Sequence, residues 1–320
     1  MRVRLLAVAL LCSATICGLL APSTQAEPRP SPRCNGAKEL CGRPFNRVVL
    51  AGAHNAMSAL DLGWKLPNQT AAIPDQLRSG IRALLFDTHY GRLQSDGTVV
   101  TDDDGAKTEG QRGLYLCHVA CQLGASPLVP VLRSIRKFLR QNPNNVLTIV
   151  NEDYITPADF AAAMKQSGLA DYAFRGPPGP HWPTLHQMIA THQQVLVLAE
   201  HDAGSVPWYH LAYEGILQET PYTFENAERL IDPANWAASC RPNRGGTNGS
   251  LFLVNHWSPS TPPAVPDPAA SAAVNAEQVL VGRARECRRL RGIRPTIIAA
   301  DQIGYGGLVA AVDELNGVSR

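Results

Sequence analysis

The chain has 320 residues, a formal net charge of +2 and a mean hydropathy of −0.11. So small a charge, without a basic stripe interleaved with aromatic residues, excludes an electrostatic nucleic-acid-binding surface and predicts no nucleic-acid partner. A hydrophobic content of 45% excludes a disordered chain and supplies enough apolar side chains for one large core.

The first predicted element is an export signal at residues 1–26. Arg2 and Arg4 precede an apolar stretch, residues 5–21, which leads to the small-residue end at Thr24-Gln25-Ala26. This order is typical of a secretory signal peptide cleaved near Ala26, so we expect a secreted protein. An N-terminal membrane anchor is the alternative, although the apolar stretch is marginal for a spanning helix.

Residues 27–45 are predicted to form a Pro-rich leader and a disulfide loop, and residues 46–320 a single domain. Six cysteines remain after the signal, and an even number in an exported chain predicts disulfides. A metal site is the weaker alternative because no CxxC pair is present. Sequence proximity, and then elimination, favour the pairs Cys34–Cys41, Cys117–Cys121 and Cys240–Cys287.

Beyond residue 45, apolar β-branched segments alternate with segments of helical periodicity. The predicted strands are 46–54, 81–89, 113–118, 145–153, 194–202, 251–257 and 295–303, with a weak eighth near 219–224. The predicted helices are 126–141, 156–168, 184–192, 268–290 and 306–317. Apolar strands separated by helices predict an α/β fold with a parallel sheet, closed as a TIM-type (β/α)8 barrel. A doubly wound open sheet is the alternative, but no GxGxxG follows the first strand.

Polar side chains end nearly every predicted strand. In a parallel barrel these ends lie on one face, where the active sites of such barrels are built. Two histidines with carboxylate partners suit general acid–base catalysis, one removing a proton and the other donating one. Neither GxSxG nor HExxH occurs, so neither a serine hydrolase nor a zincin is supported. The strand-end residues are His54, Asn55, Asp87, His118, Glu152 or Asp153, Glu200, Asn255, His256 and Asp301.

Several of these strand ends lie in recognisable sequences. They are VVLAGAHNAMS (48–58), GIRALLFDTHYG (80–91), GLYLCH (113–118) and NPNNVLTIVNEDY (142–154). In this order they resemble successive strands of the phosphatidylinositol-specific phospholipase C X-domain family, in its secreted single-domain type. The resemblance implies an irregular (β/α)8 barrel, the PLC-like phosphodiesterase fold. It also implies cleavage of a lipid's glycerol–phosphate bond by attack of the inositol 2-hydroxyl on phosphorus.

The resemblance assigns roles by position. His54 corresponds to the general base, and His118 to the general acid that protonates the leaving oxygen. Asp301 corresponds to the carboxylate that orients the base. Asp87 corresponds to the carboxylate on the second strand, which is a metal ligand in calcium-dependent members.

Two departures concern the positive charge that phosphoryl transfer needs. Metal-independent bacterial members carry an arginine where this chain has His89, and calcium-dependent members carry a carboxylate where it has Leu85. We therefore expect either a partial calcium (Ca2+) site formed by Asn55, Asp87 and Glu152, or a phosphate contact from His89. The predicted substrate-binding residues are His89, Glu200, Asn255 and Tyr305.

The sequence thus predicts a secreted, monomeric phosphodiesterase of the phospholipase C type that acts on a phospholipid or inositol phosphodiester, with peripheral membrane contact. A glycerophosphodiester or sphingomyelin-type substrate on the same barrel is one alternative. A barrel that binds phospholipid or sugar phosphate without turnover is another. The basic run RARECRRLRGIR (283–294) is predicted to be the solvated face of a helix, with a membrane-facing patch as the weaker option.

Overall fold

The computed structural model describes residues 32–103, 109–257 and 268–319. The predicted signal peptide, its cleavage near Ala26 and the first part of the leader lie outside these residues. No helix within the described ranges is long and apolar enough to cross a membrane.

Eleven strands in the described residues belong to one sheet. They are β1 (Leu50–Ala53), β2 (Ala83–Leu93), β3 (Val99–Thr101), β4 (Gln111–Cys117), β5 (Ala125–Pro127), β6 (Leu147–Asp153), β7 (Val195–Ala199), β8 (Tyr209–Leu211), β9 (Leu217–Glu219), β10 (Leu251–Asn255) and β11 (Ile297–Ala300). All seven predicted strands are present. The weak eighth overlaps β9 only at Glu219, because β9 begins two residues and ends five residues earlier than predicted, and the three-residue β8 is an addition.

Nine α-helices lie in the same described ranges. They are α1 (Ile73–Ser79), α2 (Leu128–Gln141), α3 (Pro157–Ser167), α4 (Leu185–Ala190), α5 (Glu228–Ile231), α6 (Trp236–Ser239), α7 (Pro268–Val274), α8 (Glu277–Arg291) and α9 (Leu308–Asn316). The helix α3 starts after Thr156, whose side chain accepts a hydrogen bond from the Asp159 amide, and Pro157 fills its first turn. The predicted helix 268–290 is interrupted between α7 and α8. There Asn275 donates its Nδ2 to the Asp301 carbonyl at 2.8 Å.

Eight of the strands form a curled parallel series in the order β8-β7-β6-β2-β1-β11-β10-β9. The series ends at β8 and β9, so the barrel is open at that seam. The predicted irregular (β/α)8 barrel is therefore confirmed. Because all eight strands run the same way, their C-terminal ends share one end of the barrel.

The predicted strand 113–118 is present as β4, but it is not a barrel strand. It pairs antiparallel with the long C-terminal half of β2, with Thr88 opposite Leu116, and β3 and β5 complete a small antiparallel extension. A parallel crossover needs a dozen or more residues, usually with a helix, and the polar segment after β2 carries no helical pattern. The expectation of a third parallel strand here is wrong for that reason.

Alternate residues of the barrel strands face two separate cores. On β2, Ala83 and Leu85 pack inside the barrel, whereas Leu84 and Phe86 pack against the surrounding helices. Gly52 on β1 allows the neighbouring strand to approach closely, since a Cβ there would lie 3.0 Å from Ile297 and 3.2 Å from the Ala299 backbone. The tight contact of β1 with β11 brings their C-terminal ends together.

All three predicted disulfides are present, Cys34–Cys41, Cys117–Cys121 and Cys240–Cys287. The first closes a loop that packs on the barrel, where the Asn35 side chain hydrogen-bonds both backbone groups of Val146. The second closes the loop directly after β4. Cys117 is buried in a small outer cluster with Cys121 and Tyr115, on the face of the strand opposite His118.

Candidate active site

A cavity of about 110 Å³ opens at the C-terminal ends of the barrel strands. Its floor is apolar and includes Leu85, Val150 and Leu253. Six of the predicted site residues line it: His54, Asn55, Asp87, Glu152, Glu200 and Asn255. His118 and Asp301 contact these lining residues directly, so the structure brings eight predicted residues together.

The first catalytic candidate, His54, is oriented by strand register. Ala53 at the end of β1 lies opposite Ala300 at the end of β11, so the next residues, His54 and Asp301, are neighbours. Nδ1 of His54 lies 2.8 Å from Oδ1 of Asp301. A hydrogen bond from Nδ1–H to this carboxylate fixes the tautomer in which Nε2 is free to accept a proton.

Two further side chains hold this pair, and contact with the pair was predicted for neither. Asn68 donates its Nδ2 to Oδ2 of Asp301 at 3.1 Å, which orients the carboxylate. Trp257 stacks on His54 with ring centroids 3.7 Å apart and an angle of 2° between the rings. Trp257 stood out in the sequence only as an aromatic residue after a strand, and its partner is more than 200 positions away in the chain.

The second catalytic candidate, His118, follows β4. Its Nδ1 lies 3.1 Å from Oδ2 of Asp87, and its Nε2 lies 3.3 Å from Nδ2 of Asn55. Although burial opposes the effect, the hydrogen bond to Asp87 and the charges of Asp87, Asp301 and Glu152 raise the pKa of His118. A raised pKa favours the protonated form of a histidine, which can donate a proton to a leaving group.

The two histidine rings are 6.5 Å apart, centroid to centroid. Each has its own carboxylate, Asp301 for His54 and Asp87 for His118. Each ring is therefore oriented by a carboxylate at its Nδ1.

Strained backbone follows each of the three residues His54, His118 and Asp301. The next residues, Asn55, Val119 and Gln302, have φ values of +44°, +62° and +48°. Among the described residues only two other non-glycine positions have positive φ, Asn35 and His192. Such left-handed conformations cost free energy, most of all for the β-branched Val119, and they concentrate at functional sites.

The positive charge in the cavity wall comes from Arg244, which sequence reasoning missed. Its Nε and Nη2 donate to the two oxygens of Glu219 at 2.7 and 3.1 Å, and its Nη1 donates to Glu200. The guanidinium also lies over the rings of Tyr213 and Tyr222, at 4.3 and 4.7 Å. Arg244 lies in an irregular loop between Cys240 and β10, so no periodicity indicated where its side chain would point.

Acidic groups surround this arginine. Burial, with repulsion from Glu152 and Glu219, raises the pKa of Glu200 to about 7, although Arg244 opposes the shift. Asn255 donates its Nδ2 to Glu219 at 3.1 Å, and its buried Oδ1 has no hydrogen-bond partner among the described residues. Donors and acceptors therefore alternate along this wall, as binding of a hydroxyl-rich group requires.

Two predicted substrate-binding residues do not line the cavity. His89 lies further along the antiparallel part of β2, where its Nδ1 is 2.6 Å from Asp103 and Tyr154 stacks on its ring at 4.4 Å. Only 4% of His89 is exposed, so in this structure it does not reach the cavity. Tyr305 also lies away from the cavity, because the chain turns sharply at Gln302 after β11.

The two carboxylates among the predicted calcium ligands already have partners in the protein. Calcium binds about six to eight oxygen ligands. Here Asp87 is hydrogen-bonded by His118, Glu152 accepts the hydroxyl of Tyr154, and Leu85 adds an apolar group to the floor. Within residues 32–103, 109–257 and 268–319, no group of three or more His, Cys, Asp or Glu is arranged to hold a metal.

Comparison with known proteins agrees with this geometry. A family model described as PI-PLC X 1 matches residues 40–316. A PI-PLC X domain-containing protein 1 of Arthroderma benhamiae is 27% identical over 89% of this chain and 90% of its own length. An uncharacterized secreted protein of the same fungus is 31% identical over 74% of this chain, which spans only half of that relative.

Further matches extend the likeness. A PI-PLC X domain-containing protein of Arabidopsis thaliana is 29% identical over 77% of this chain and 58% of its own length. The solved structure of a mutant phosphatidylinositol-specific phospholipase C from Staphylococcus aureus superposes with a TM-score of 0.52 over 87% of this chain and 95% of that one. At 12% identity this match shows the fold alone. The family match over nearly the whole described chain shows that this protein belongs to the PI-PLC X domain family.

Proposed function

We propose that this protein is a phospholipase C-type phosphodiesterase that cleaves an inositol phosphodiester, with His54 as general base and His118 as general acid. The observation that carries the proposal is the pair of histidines, each with its own carboxylate, facing one cavity. The inositol 2-hydroxyl oxygen attacks phosphorus, and Nε2 of His54 takes its proton. The bond from phosphorus to the glycerol oxygen breaks, and His118 protonates that oxygen. The products are a cyclic inositol phosphate and diacylglycerol.

The wall around Arg244 supports a hydroxyl-rich headgroup. Arg244 offers its remaining N–H groups, Glu200 and the unpaired Oδ1 of Asn255 offer acceptors, and Tyr222 supplies an aromatic edge. A choline headgroup, as in a sphingomyelin-type substrate, needs open aromatic faces. Here the guanidinium of Arg244 already lies over the rings of Tyr213 and Tyr222. Inositol is therefore the favoured headgroup.

Peripheral membrane contact is supported by the residues around the cavity mouth. Val119, directly after His118, is 74% exposed, and Tyr154 and Tyr222 are each 43% exposed. Apolar and aromatic side chains at such a rim insert into a lipid interface. Val119→Asp should weaken binding to phosphatidylinositol vesicles and leave turnover of water-soluble glycerophosphoinositol unchanged. Leu290→Asp, which changes an exposed leucine on α8, is the matched control.

Export of the chain as a monomer, with cleavage near Ala26, belongs to the same proposal. Three disulfides support an oxidising compartment. Sequencing the N-terminus of the protein recovered from culture medium tests the cleavage, and light scattering of that sample tests the monomer.

The activity is tested with the mature protein and four substrates: phosphatidylinositol, phosphatidylcholine, sphingomyelin and glycerophosphoinositol. Each is incubated with calcium or with chelator, and phosphorus NMR follows the products. We expect cyclic inositol phosphate from the two inositol substrates, lost in His54→Ala and in His118→Ala. The exposed His186 provides the matched control, since His186→Ala should leave turnover unchanged.

The other outcomes each contradict a part of the proposal. Turnover of sphingomyelin or phosphatidylcholine alone would replace the inositol headgroup with choline. Turnover only with calcium would restore the calcium site of Asn55, Asp87 and Glu152, whereas we expect turnover in chelator. Binding of phosphatidylinositol without any product would make the protein a lipid-binding barrel.

A further inference from the structure

A second charged cavity lies at the opposite end of the barrel from the catalytic one. It measures about 140 Å³ and is lined by Arg285, Arg288 and Arg294, with Val49 and Leu315 among its other contacts. The volume is several times the roughly 30 Å³ that one water occupies. The three arginines come from the basic run 283–294, which the catalytic function leaves unexplained.

Two strands relate the cavities to each other. Val49 precedes β1 and His54 follows it, while Arg294 lies ahead of β11 and Asp301 follows it. At about 3.3 Å per residue, Val49 and His54 are roughly 17 Å apart along β1. A ligand in the second cavity therefore cannot contact the catalytic histidines.

Three arginines, Arg285, Arg288 and Arg294, line this cavity together with Glu314, and we call it the arginine pocket. The charges of two further arginines, Arg43 and Arg47, act on Arg294. Of these five arginines only Arg285 has a carboxylate partner among the described residues, Glu314 at 2.8 Å. Arg294 and Arg43 instead donate to the last carbonyls of α9, those of Leu315 at 3.3 Å and Asn316 at 2.6 Å.

The side chains of the remaining two, Arg288 and Arg47, are exposed and make no hydrogen bond or ion pair with the residues that the structure describes. Arg289, the next residue along α8, differs, because it pairs with Glu286 at 2.6 Å as a solvated helix face predicts. Of these two adjacent arginines, a carboxylate therefore neutralises Arg289 but not Arg288.

The neighbouring positive charges shift the pKa of one arginine of the pocket. Burial, followed by the charges of Arg288, Arg43 and Arg47, lowers the pKa of Arg294. Carbonyls at the end of a helix carry only about half an elementary charge, so they offset one of these cations at most. Like charges gathered around a cavity are stabilised when an anion enters it.

We propose that the arginine pocket binds a phosphate-class oxoanion, either free in solution or as the terminal phosphate of a lipid. The planar guanidinium groups donate paired hydrogen bonds that match the oxygens of such an anion. The bound anion neutralises Arg288 and Arg294 and links α8 to the end of α9. The site is separate from catalysis and does not depend on the proposed phosphodiesterase activity.

The test compares Arg288→Ala with Arg289→Ala, two variants with the same change of charge on adjacent residues. Binding of inorganic phosphate is measured by titration calorimetry, and the unfolding temperature is measured in phosphate and in chloride of equal ionic strength. We expect phosphate to raise the unfolding temperature more than chloride does. Arg288→Ala should weaken phosphate binding about tenfold or more, and Arg289→Ala should not.

Because the catalytic cavity is also expected to bind phosphate, both titrations are repeated in an Arg244→Ala background. In that background too, Arg288→Ala should weaken phosphate binding and Arg289→Ala should not. Co-sedimentation with phosphatidylcholine vesicles, with and without phosphatidic acid, identifies the source. Binding to phosphatidic acid vesicles that Arg288→Ala abolishes indicates a lipid phosphate, and binding of inorganic phosphate alone indicates a free one. Equal binding by the Arg288→Ala and Arg289→Ala proteins in every arm would overturn the proposal.

Discussion

The two candidate catalytic histidines lie beside one cavity but come from two unlike parts of the molecule. His54 and Asp301 directly follow neighbouring parallel strands, and their pairing follows from the register of β1 and β11. His118 instead follows β4 of the antiparallel extension, where the Cys117–Cys121 disulfide, which we call the clasp, closes the next loop. The barrel register therefore orients His54, whereas a hairpin closed by a disulfide carries His118.

The largest effects are expected from replacing the two carboxylates, Asp301 and Asp87, and the two effects differ in kind. Asp301→Asn should lower kcat about 100-fold at every pH, because an amide no longer holds His54 in the tautomer that accepts a proton. Asp87→Asn should act through pH instead. Its charge and hydrogen bond raise the pKa of His118, so removing them lowers that pKa.

The sign of the second effect follows from the proton that His118 must hold. Activity that needs protonated His118 is present below its pKa and lost as pH rises through it. The alkaline limb of kcat should therefore move to lower pH in Asp87→Asn. Full pH–rate profiles of both variants check this, and an unshifted alkaline limb in Asp87→Asn would contradict the pairing with His118.

Removing the Cys117–Cys121 disulfide should lower activity through its effect on His118 alone. The double variant Cys117→Ser/Cys121→Ser should lower the free energy of unfolding by about 2 kcal/mol and also lower kcat, because His118 loses its restraint. The matched control Cys34→Ser/Cys41→Ser opens a disulfide loop of similar size away from the site. It should lose similar stability by denaturant unfolding with kcat unchanged. Equal kcat losses in both would mean that the clasp has no specific role.

A smaller effect on kcat is expected from replacing Trp257, whose ring stacks on His54. Trp257→Leu should lower kcat about fivefold, since an aromatic stack is worth about 1 kcal/mol. Trp257→Phe keeps a ring over His54 and should retain most of the activity. Steady-state kinetics of the two variants decide the point, and equal losses would indicate that packing volume, not the ring, matters.

The smallest effect is expected at Glu200, in the wall of the cavity, and it concerns the pH dependence of stability. Burial raises the pKa of Glu200 from 4.5 to about 7 in the folded protein. A raised pKa favours folding below 4.5, and the contribution is lost as pH rises through about 7. Between pH 6 and 8 the native protein should lose about 1 kcal/mol more of its unfolding free energy than Glu200→Gln does. Parallel stability curves for the two proteins would contradict the shift.

Much of the fold and the catalytic pairs could be predicted from the sequence. Apolar runs mark the barrel strands, and polar residues such as His54, Asp87 and Asp301 stand where those runs end. The exceptions are local. The strand β4 reads as a barrel strand because its apolar residues say nothing of the direction in which it pairs. The strand β8 is too short, at three residues, to leave a pattern.

Side-chain contacts could not be predicted where they depend on partners that are distant in the sequence. His89 shares a strand face with Asp87, but Tyr154 and Asp103 cover it in the folded chain. Arg244 has no periodic context, and its orientation follows from Glu219 and Glu200 on other segments. Spacing in a sequence predicts which face a side chain takes, not which remote partner holds it.

The most direct test of the base and acid roles uses a substrate whose leaving group needs no proton. An inositol phosphate ester of p-nitrophenol releases a stable phenolate, so the general acid becomes dispensable. We expect the His118→Ala protein to cleave this ester at nearly the rate of the native protein. The His54→Ala protein should remain about 100-fold or more slower than the native protein. Recovery by His54→Ala, or recovery by neither variant, would contradict the division of labour between the two histidines.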